Sequence, residues 1–189
     1  MWTENVAYCE TYKENQTTIL DESHIDAIKQ LMDSVYEERN MPVDLKIVLT
    51  KKAFGMLLAD STNTYEKLMD LHRSCSKIAL RRTSPTGGCI PFHLDAVDEG
   101  GETIQICLND QHEYRGRRLV FLTPNGIEIP VRKKGNMTKH SCFVLHGVTR
   151  LHSGVRYALF VVGESNGLGD KDVFRVNKRY MQKYAKISH

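Results

Sequence analysis

His93 and Asp95 stand one residue apart in the stretch Ile90-Pro91-Phe92-His93-Leu94-Asp95. That stretch reads as a strand, so alternation places both side chains on one face. An imidazole and a carboxylate so placed can share one cation, and a second imidazole from elsewhere would complete a facial set that leaves three neighbouring positions open on Fe(II). A surface histidine beside a solvated aspartate is the competing account of the pair. Further on, Val144, His146 and Val148 face one way while Phe143 and Leu145 face the other. His146 is then either the third donor or a hydrogen-bonded core histidine. Ten residues later Arg156 alternates in step with Ala158, Phe160 and Val162. A guanidinium turned toward an apolar interior needs a partner, because an unpaired buried charge is expensive. Its fork suits the carboxylate of a bound cosubstrate, and an internal salt bridge to a protein acid is the rival explanation.

Positioning such groups requires a β framework, and the chain after Ser76 has the texture of one. Short β-rich runs fall at about 77–83, 89–95, 102–109, 118–122, 127–132, 141–148 and 155–163, and 44–49 makes an eighth. Gly87-Gly88, Gly100-Gly101, Asn125-Gly126 and Gly135-Asn136 punctuate them, as closely spaced antiparallel strands require. Ahead of them, Ile25, Ile28, Leu31, Met32, Val35 and Tyr36 recur at helical spacing, with Ser23 and Asp26 as the cap and Pro42 as the stop. A second helical region runs from about Lys51 to Arg73, broken near Ser61–Asn63. Residues 1–20 are polar and aperiodic and read as an arm. Val173, Phe174, Val176, Asn177, Tyr180, Met181 and Tyr184 form a stripe that predicts a C-terminal helix over 171–185.

The bulk numbers fit a single domain. The chain has 189 residues, 41% hydrophobic and 26% charged, with no low-complexity tract and no internal repeat. A net charge of +3 is too small to imply a nucleic-acid or membrane partner. Cys9, Cys75, Cys89, Cys107 and Cys142 are odd in number and lack CxxC spacing, so reduced thiols are expected rather than a disulfide framework or zinc ribbon. No stretch has the length and apolarity of a leader or a spanning helix, which makes a cytoplasmic or nuclear location the expectation.

The order His93-Leu94-Asp95, then His146, then Arg156 resembles the prolyl-4-hydroxylase-like branch of the 2-oxoglutarate- and Fe(II)-dependent dioxygenases. The similarity covers roughly 77–163. It includes Leu108-Asn109-Asp110 through Tyr114, Gly116, Leu119 and Phe121, then Pro130 to Gly135, His146-Gly147-Val148 and Ser153-Gly154-Val155-Arg156-Tyr157. The resemblance implies a mainly β double-stranded β-helix, or jelly roll, with N-terminal helices packed on one face and a C-terminal helix. The whole chain would be one domain: an arm and supporting helices over 1–76, the jelly-roll core over 77–163, and the terminal helix over 164–189. It implies Fe(II) held by His93, Asp95 and His146, and 2-oxoglutarate anchored through its far carboxylate on Arg156, with ascorbate as a candidate addition. Dioxygen would be consumed, giving succinate, carbon dioxide and a hydroxylated product.

The chain departs from the family pattern in two places. Gly116-Arg117 stands where relatives often have two glycines, and with Arg115 and Arg118 it reads as a solvated basic edge, an acidic substrate being the other meaning. The tyrosine that several relatives place before the first ligand is absent. Arg82 and Thr83 stand there, and Thr83 is a candidate hydroxyl for the cosubstrate. His140 and His152 lie near the second ligand position without the ten-residue relation to Arg156, and Arg150 with Arg156 resembles by coincidence the R-x5-R pair of nucleic-acid demethylases. A protein or peptide substrate, prolyl by resemblance alone, is favoured over a small molecule, and nucleic acid and membrane are disfavoured. The competing readings are an oxidative nucleic-acid demethylase and a non-catalytic jelly-roll module that senses metal or ligand.

Overall fold

The computed structural model describes residues 13–16, 19–40, 44–59, 63–71, 75–85, 87–95, 101–163 and 173–175. In chain order the elements are β1 (Lys13–Gln16), α1 (Glu22–Arg39), β2 (Asp44–Leu49), α2 (Lys51–Leu57), α3 (Asn63–Met69), β3 (Cys75–Thr83), β4 (Ile90–His93), β5 (Glu102–Cys107), β6 (Arg115–Gly116), β7 (Leu119–Thr123), β8 (Gly126–Glu128), β9 (Asn136–Ser141), β10 (His146–Val148), β11 (Leu151–Ser153), β12 (Arg156–Gly163) and β13 (Val173–Arg175). Seven strands form one sheet in the order β1-β9-β5-β12-β3-β2-β13, and four form a second in the order β4-β10-β7-β8. A short β11-β6 pair lies apart from both. This is the expected jelly roll.

Alternation along the large sheet sorts its residues between two environments. Leu45, Ile47, Leu49, Ile78, Leu80, Ile104, Ile106, Leu159 and Val161 are buried together with Ile25, Ile28, Leu31, Met32 and Val35 of α1. That apolar layer is the main core. The intervening positions, among them Lys46, Ala79, Arg81, Thr103, Gln105, Arg156 and Phe160, line a cavity on the opposite face. Contacts between His140 and His146, and between Phe121 and His140, bring the small sheet against that face. Helices therefore cover one side of the large sheet and the small sheet covers the other.

The helix also fixes the site-bearing strands through polar contacts. Arg82 Nε donates to Asp33 Oδ1 at 2.7 Å, Tyr157 Oη donates to the same oxygen at 2.6 Å, and the Arg82 guanidinium stacks 3.7 Å from the Tyr36 ring centroid. Arg82 thus faces α1, and the neighbouring Thr83 faces the cavity side.

Several local expectations are corrected. Asp21 rather than Ser23 caps α1, its carboxylate accepting from His24 N at 2.8 Å, because the chain is already helical at Glu22. Lys13–Gln16 within the presumed arm pairs with β9. The run 141–148 is two strands of different sheets, β9 and β10, separated by a turn in which Val144 N donates to Ser141 O. The run 127–132 is a strand only over Gly126–Glu128. In the segment expected to be helical over 171–185, Val173–Arg175 pairs in parallel with β2, and the remainder lies outside the described residues. Cys89, Cys107 and Cys142 are free thiols. No helix among the described residues is long and apolar enough to cross a membrane.

Gly154 sits at the bend into β12 with φ +78, and a Cβ added there would lie 2.4 Å from the Glu113 carbonyl oxygen. Gly154→Ala should therefore destabilise the fold by about 2 kcal/mol, read as a lower urea midpoint with an unchanged slope.

Candidate active site

The two histidines of the expected triad are direct partners across adjacent strands. His146 on β10 is in register with His93 on β4, and their ring centroids are 4.4 Å apart. Asp95 follows β4 by two residues, so its side chain returns to the same face. His93 Nε2 and His146 Nε2 each lie 3.7 Å from Asp95 Oδ1. One donor atom from each of the three residues falls within 4.8 Å of the others, a group that could hold a metal ion.

Backbone carbonyls orient both rings. His93 Nδ1 lies 2.9 Å from Pro91 O, and His146 Nδ1 lies 2.9 Å from Val144 O. With a proton on each Nδ1 donated to these carbonyls, each Nε2 lone pair points at the shared centre, the arrangement a metal-ligating imidazole requires. The carboxylate of Asp95 is likewise divided. Its Oδ1 faces the two imidazoles, while Oδ2 accepts from Thr103 Oγ1 at 2.5 Å and lies 3.3 Å from His140 Nε2.

These contacts set the protonation states. Burial by itself would raise the Asp95 carboxyl, but His140, Thr103 and His146 together outweigh it and hold the group at about 2. Burial, followed by the adjacent His140, pushes His146 down to about 4. At neutral pH the aspartate is therefore ionised and His146 is neutral, the forms that bind a divalent cation. Leu119, Phe121, Val144 and Val148 pack as an apolar patch of the small sheet, with Phe121 in register with His146.

The cavity beside the triad measures about 410 Å³, a size suited to a small ligand or a single inserted side chain. Arg156 lines it and is only 4% exposed. Burial, then the neighbouring Arg132, lowers its guanidinium to about 10. Among the described residues no carboxylate forms an ion pair with it, so the internal salt bridge considered from the sequence is not seen there. Thr83 is its direct partner on β3, is fully buried, and has a hydroxyl without a hydrogen-bond partner. A buried cation beside an unsatisfied hydroxyl fits a ligand carboxylate. The donor set and this pair together fit Fe(II) and 2-oxoglutarate.

Of the five residues singled out from the sequence, His93, Asp95, His146 and Arg156 line one cavity, and Thr83 is in register with Arg156 without lining it. Arg150 and His152 are exposed. His140 is not among the three grouped donors, but it touches the second oxygen of Asp95, a role the sequence reading missed. The signal was alternation in Thr138-Lys139-His140 on β9, hidden by starting a strand at 141. Arg117 was also misread. It is not part of a solvated edge but is 2% exposed and lines the cavity.

Comparison of the structure with solved structures finds the same fold in a prolyl-4-hydroxylase from Pseudomonas putida, with TM-score 0.61 and 14% identity over 82% of this chain and 92% of that one. A prolyl hydroxylase from Trichoplax adhaerens, solved with a peptide fragment of the hypoxia inducible factor oxygen degradation domain, matches with TM-score 0.61 and 14% identity over 80% and 82%. An oxidoreductase of the 2OG-Fe(II) oxygenase family from Burkholderia pseudomallei matches with TM-score 0.55 and 16% identity over 82% and 85%. No protein-family model and no curated relative matches the sequence. At these identities the likeness establishes the fold alone, the jelly roll that these structures share.

The lowered His146 value has a measurable consequence. The unfolded chain binds a proton near 6.5 that the folded chain accepts only near 4, so the stabilisation is fully present above pH 6.5 and is lost as pH falls through that window. Metal-free protein should lose about 3 kcal/mol between pH 7 and pH 4 from this group. Urea unfolding of His146→Gln should show a correspondingly shallower acid slope.

Proposed function

We propose that the protein is a non-haem Fe(II)- and 2-oxoglutarate-dependent dioxygenase that hydroxylates a C–H bond of its substrate. The observation that carries the reading is the convergence of His93 Nε2, Asp95 Oδ1 and His146 Nε2 in a cavity also lined by Arg156, which has no carboxylate partner among the described residues. Fe(II) and 2-oxoglutarate, when bound, supply dioxygen activation coupled to oxidative decarboxylation of the keto acid to succinate.

The chain's own residues prepare that chemistry. His93, Asp95 and His146 would hold the metal from one side and leave the cavity side open. Thr103 keeps Asp95 Oδ2 engaged, with His140 Nε2 3.3 Å from it, so Oδ1 would be the oxygen presented to the metal. Thr83 and Arg156 would hold the far carboxylate of the cosubstrate, the one as a hydroxyl donor and the other as a guanidinium. Leu119 and Phe121 keep water from the buried side of His146, which preserves its neutral form.

For the substrate we favour a protein or peptide side chain, on the resemblance to prolyl hydroxylases and the likeness to a structure solved with a peptide. Arg150 is exposed, and Arg117 is turned into the cavity, so the arginines do not make the continuous outer track that a nucleic-acid demethylase would use.

Succinate release from 2-oxoglutarate with Fe(II) and ascorbate tests the activity. Wild type should release it, faster with a true substrate, and Asp95→Ala should lose both Fe(II) binding and turnover. Arg156→Ala should raise the 2-oxoglutarate concentration needed for half-maximal rate by roughly a hundredfold, the scale of losing one buried charge-assisted pair. Full activity in Asp95→Ala would refute the ligand assignment.

A further inference from the structure

The cavity contains more positive charge than a bound 2-oxoglutarate can use. Besides Arg156, its walls include Arg81 and Arg117. A diacid chelating the metal through its keto acid end presents one remaining carboxylate, which Thr83 and Arg156 are placed to take. The other two guanidiniums gather around one acid, Asp44, which is in register with Thr83. Arg81 Nη2 donates to Asp44 Oδ2 at 2.6 Å, and Arg117 Nη2 lies 3.5 Å from that same oxygen. Arg117 Nη1 donates to Gly88 O at 2.7 Å. One carboxylate is thus shared by two guanidiniums, and the Nε atoms of both arginines are buried without hydrogen-bond partners.

Holding Arg117 there is unfavourable in two independent ways. Its backbone lies in the left-handed region at φ +52, where glycine would be unstrained and a long side chain is not. Its side chain is 2% exposed and lines the metal-facing cavity. Burial, then Arg81, depresses its guanidinium below the ordinary arginine value. An incoming anion would relieve the burial cost by offsetting the excess positive charge.

We propose that Arg117 and Arg81 form a second anion-recognition subsite adjoining the Thr83–Arg156 pair, and that the substrate is an acid that presents a carboxylate to it. The inference rests on the oxygenase reading and narrows its substrate class. Asp44 acts as a stand-in anion that occupies the two guanidiniums and competes for them with the substrate carboxylate. The carboxylate belongs either to a free organic acid or to an acidic side chain of a peptide. Both fit a cavity of about 410 Å³ that can admit a small molecule or one residue of a chain.

The experiment is calorimetric titration of the full chain, with Fe(II) and saturating 2-oxoglutarate under anaerobic conditions, against free carboxylic acids and acidic peptides, each paired with its primary amide. The expected result is that acids bind and their amides bind at least about tenfold more weakly. Whether the free acids or the peptides bind names the source. Arg117→Gly should weaken the acid roughly tenfold or more while moving 2-oxoglutarate affinity much less, and Asp44→Asn, by removing the competing carboxylate, should tighten the acid several-fold. Arg117→Asn, which also tolerates the left-handed region, repeats the test if the glycine variant fails to fold. Amides binding as well as acids, no acid binding, an Arg117 effect on 2-oxoglutarate instead, or an Asp44→Asn variant that binds acids no better would each overturn the subsite. The absorption band of the Fe(II)–2-oxoglutarate complex is recorded in parallel. Its absence with acid binding intact refutes the oxygenase reading and leaves the subsite standing.

Discussion

A single carboxylate whose two oxygens have different partners organises this molecule. Asp95 Oδ1 lies between two imidazoles, and Oδ2 is held by Thr103 and faced by His140. Those five residues come from or directly follow four strands, two of the small sheet and two of the large one. The contact therefore requires the two sheets to meet at one edge of the roll. The cross-strand pairing of His93 with His146 depends on the register of β4 against β10, and a slip of one residue would turn either ring to the outer face. Apolar packing behind the large sheet supplies the stability that keeps this register, through the layer shared by α1 and the outward positions of β2, β3, β5 and β12.

Buried charge is the second constraint. The interior face of the large sheet carries arginines where a structural core would carry aliphatic residues, and each costs solvation energy that the fold must offset. Arg81 is offset by Asp44, while Arg156 lacks a carboxylate partner among the described residues. A cavity built this way is less stable empty than filled. Binding of anions should accordingly be coupled to folding stability by mass action, and the site favours anionic ligands before any specific contact is counted.

Much of this was legible from alternation. The one-residue gap between His93 and Asp95 puts both on one face, and the phase shared by Arg156, Ala158 and Phe160 placed the guanidinium inside. Thr83 was singled out by its place in the family pattern, and the structure sets it in register with Arg156. What was not legible depended on tertiary neighbours. The division of 141–148 into strands of two sheets turns on a bend between Ser141 and His146 that periodicity does not encode, and with it went the inward phase of His140. Arg117 read as solvated because its neighbours Arg115 and Arg118 are basic. Only its left-handed backbone, invisible in the sequence, turns it inward. Val173–Arg175 carries an apolar pattern too short to separate helix from strand, and its pairing with β2 settles the matter for those three residues.

The most direct test is a crystal structure of the chain grown anaerobically with Fe(II) and 2-oxoglutarate, with anomalous scattering recorded at the iron edge. The account predicts one strong peak bonded to His93 Nε2, Asp95 Oδ1 and His146 Nε2, with the diacid running from the metal to Arg156 and Thr83. A peak elsewhere, a ligand set that substitutes His140 for one of the three, or a diacid pointing away from Arg156 would contradict it.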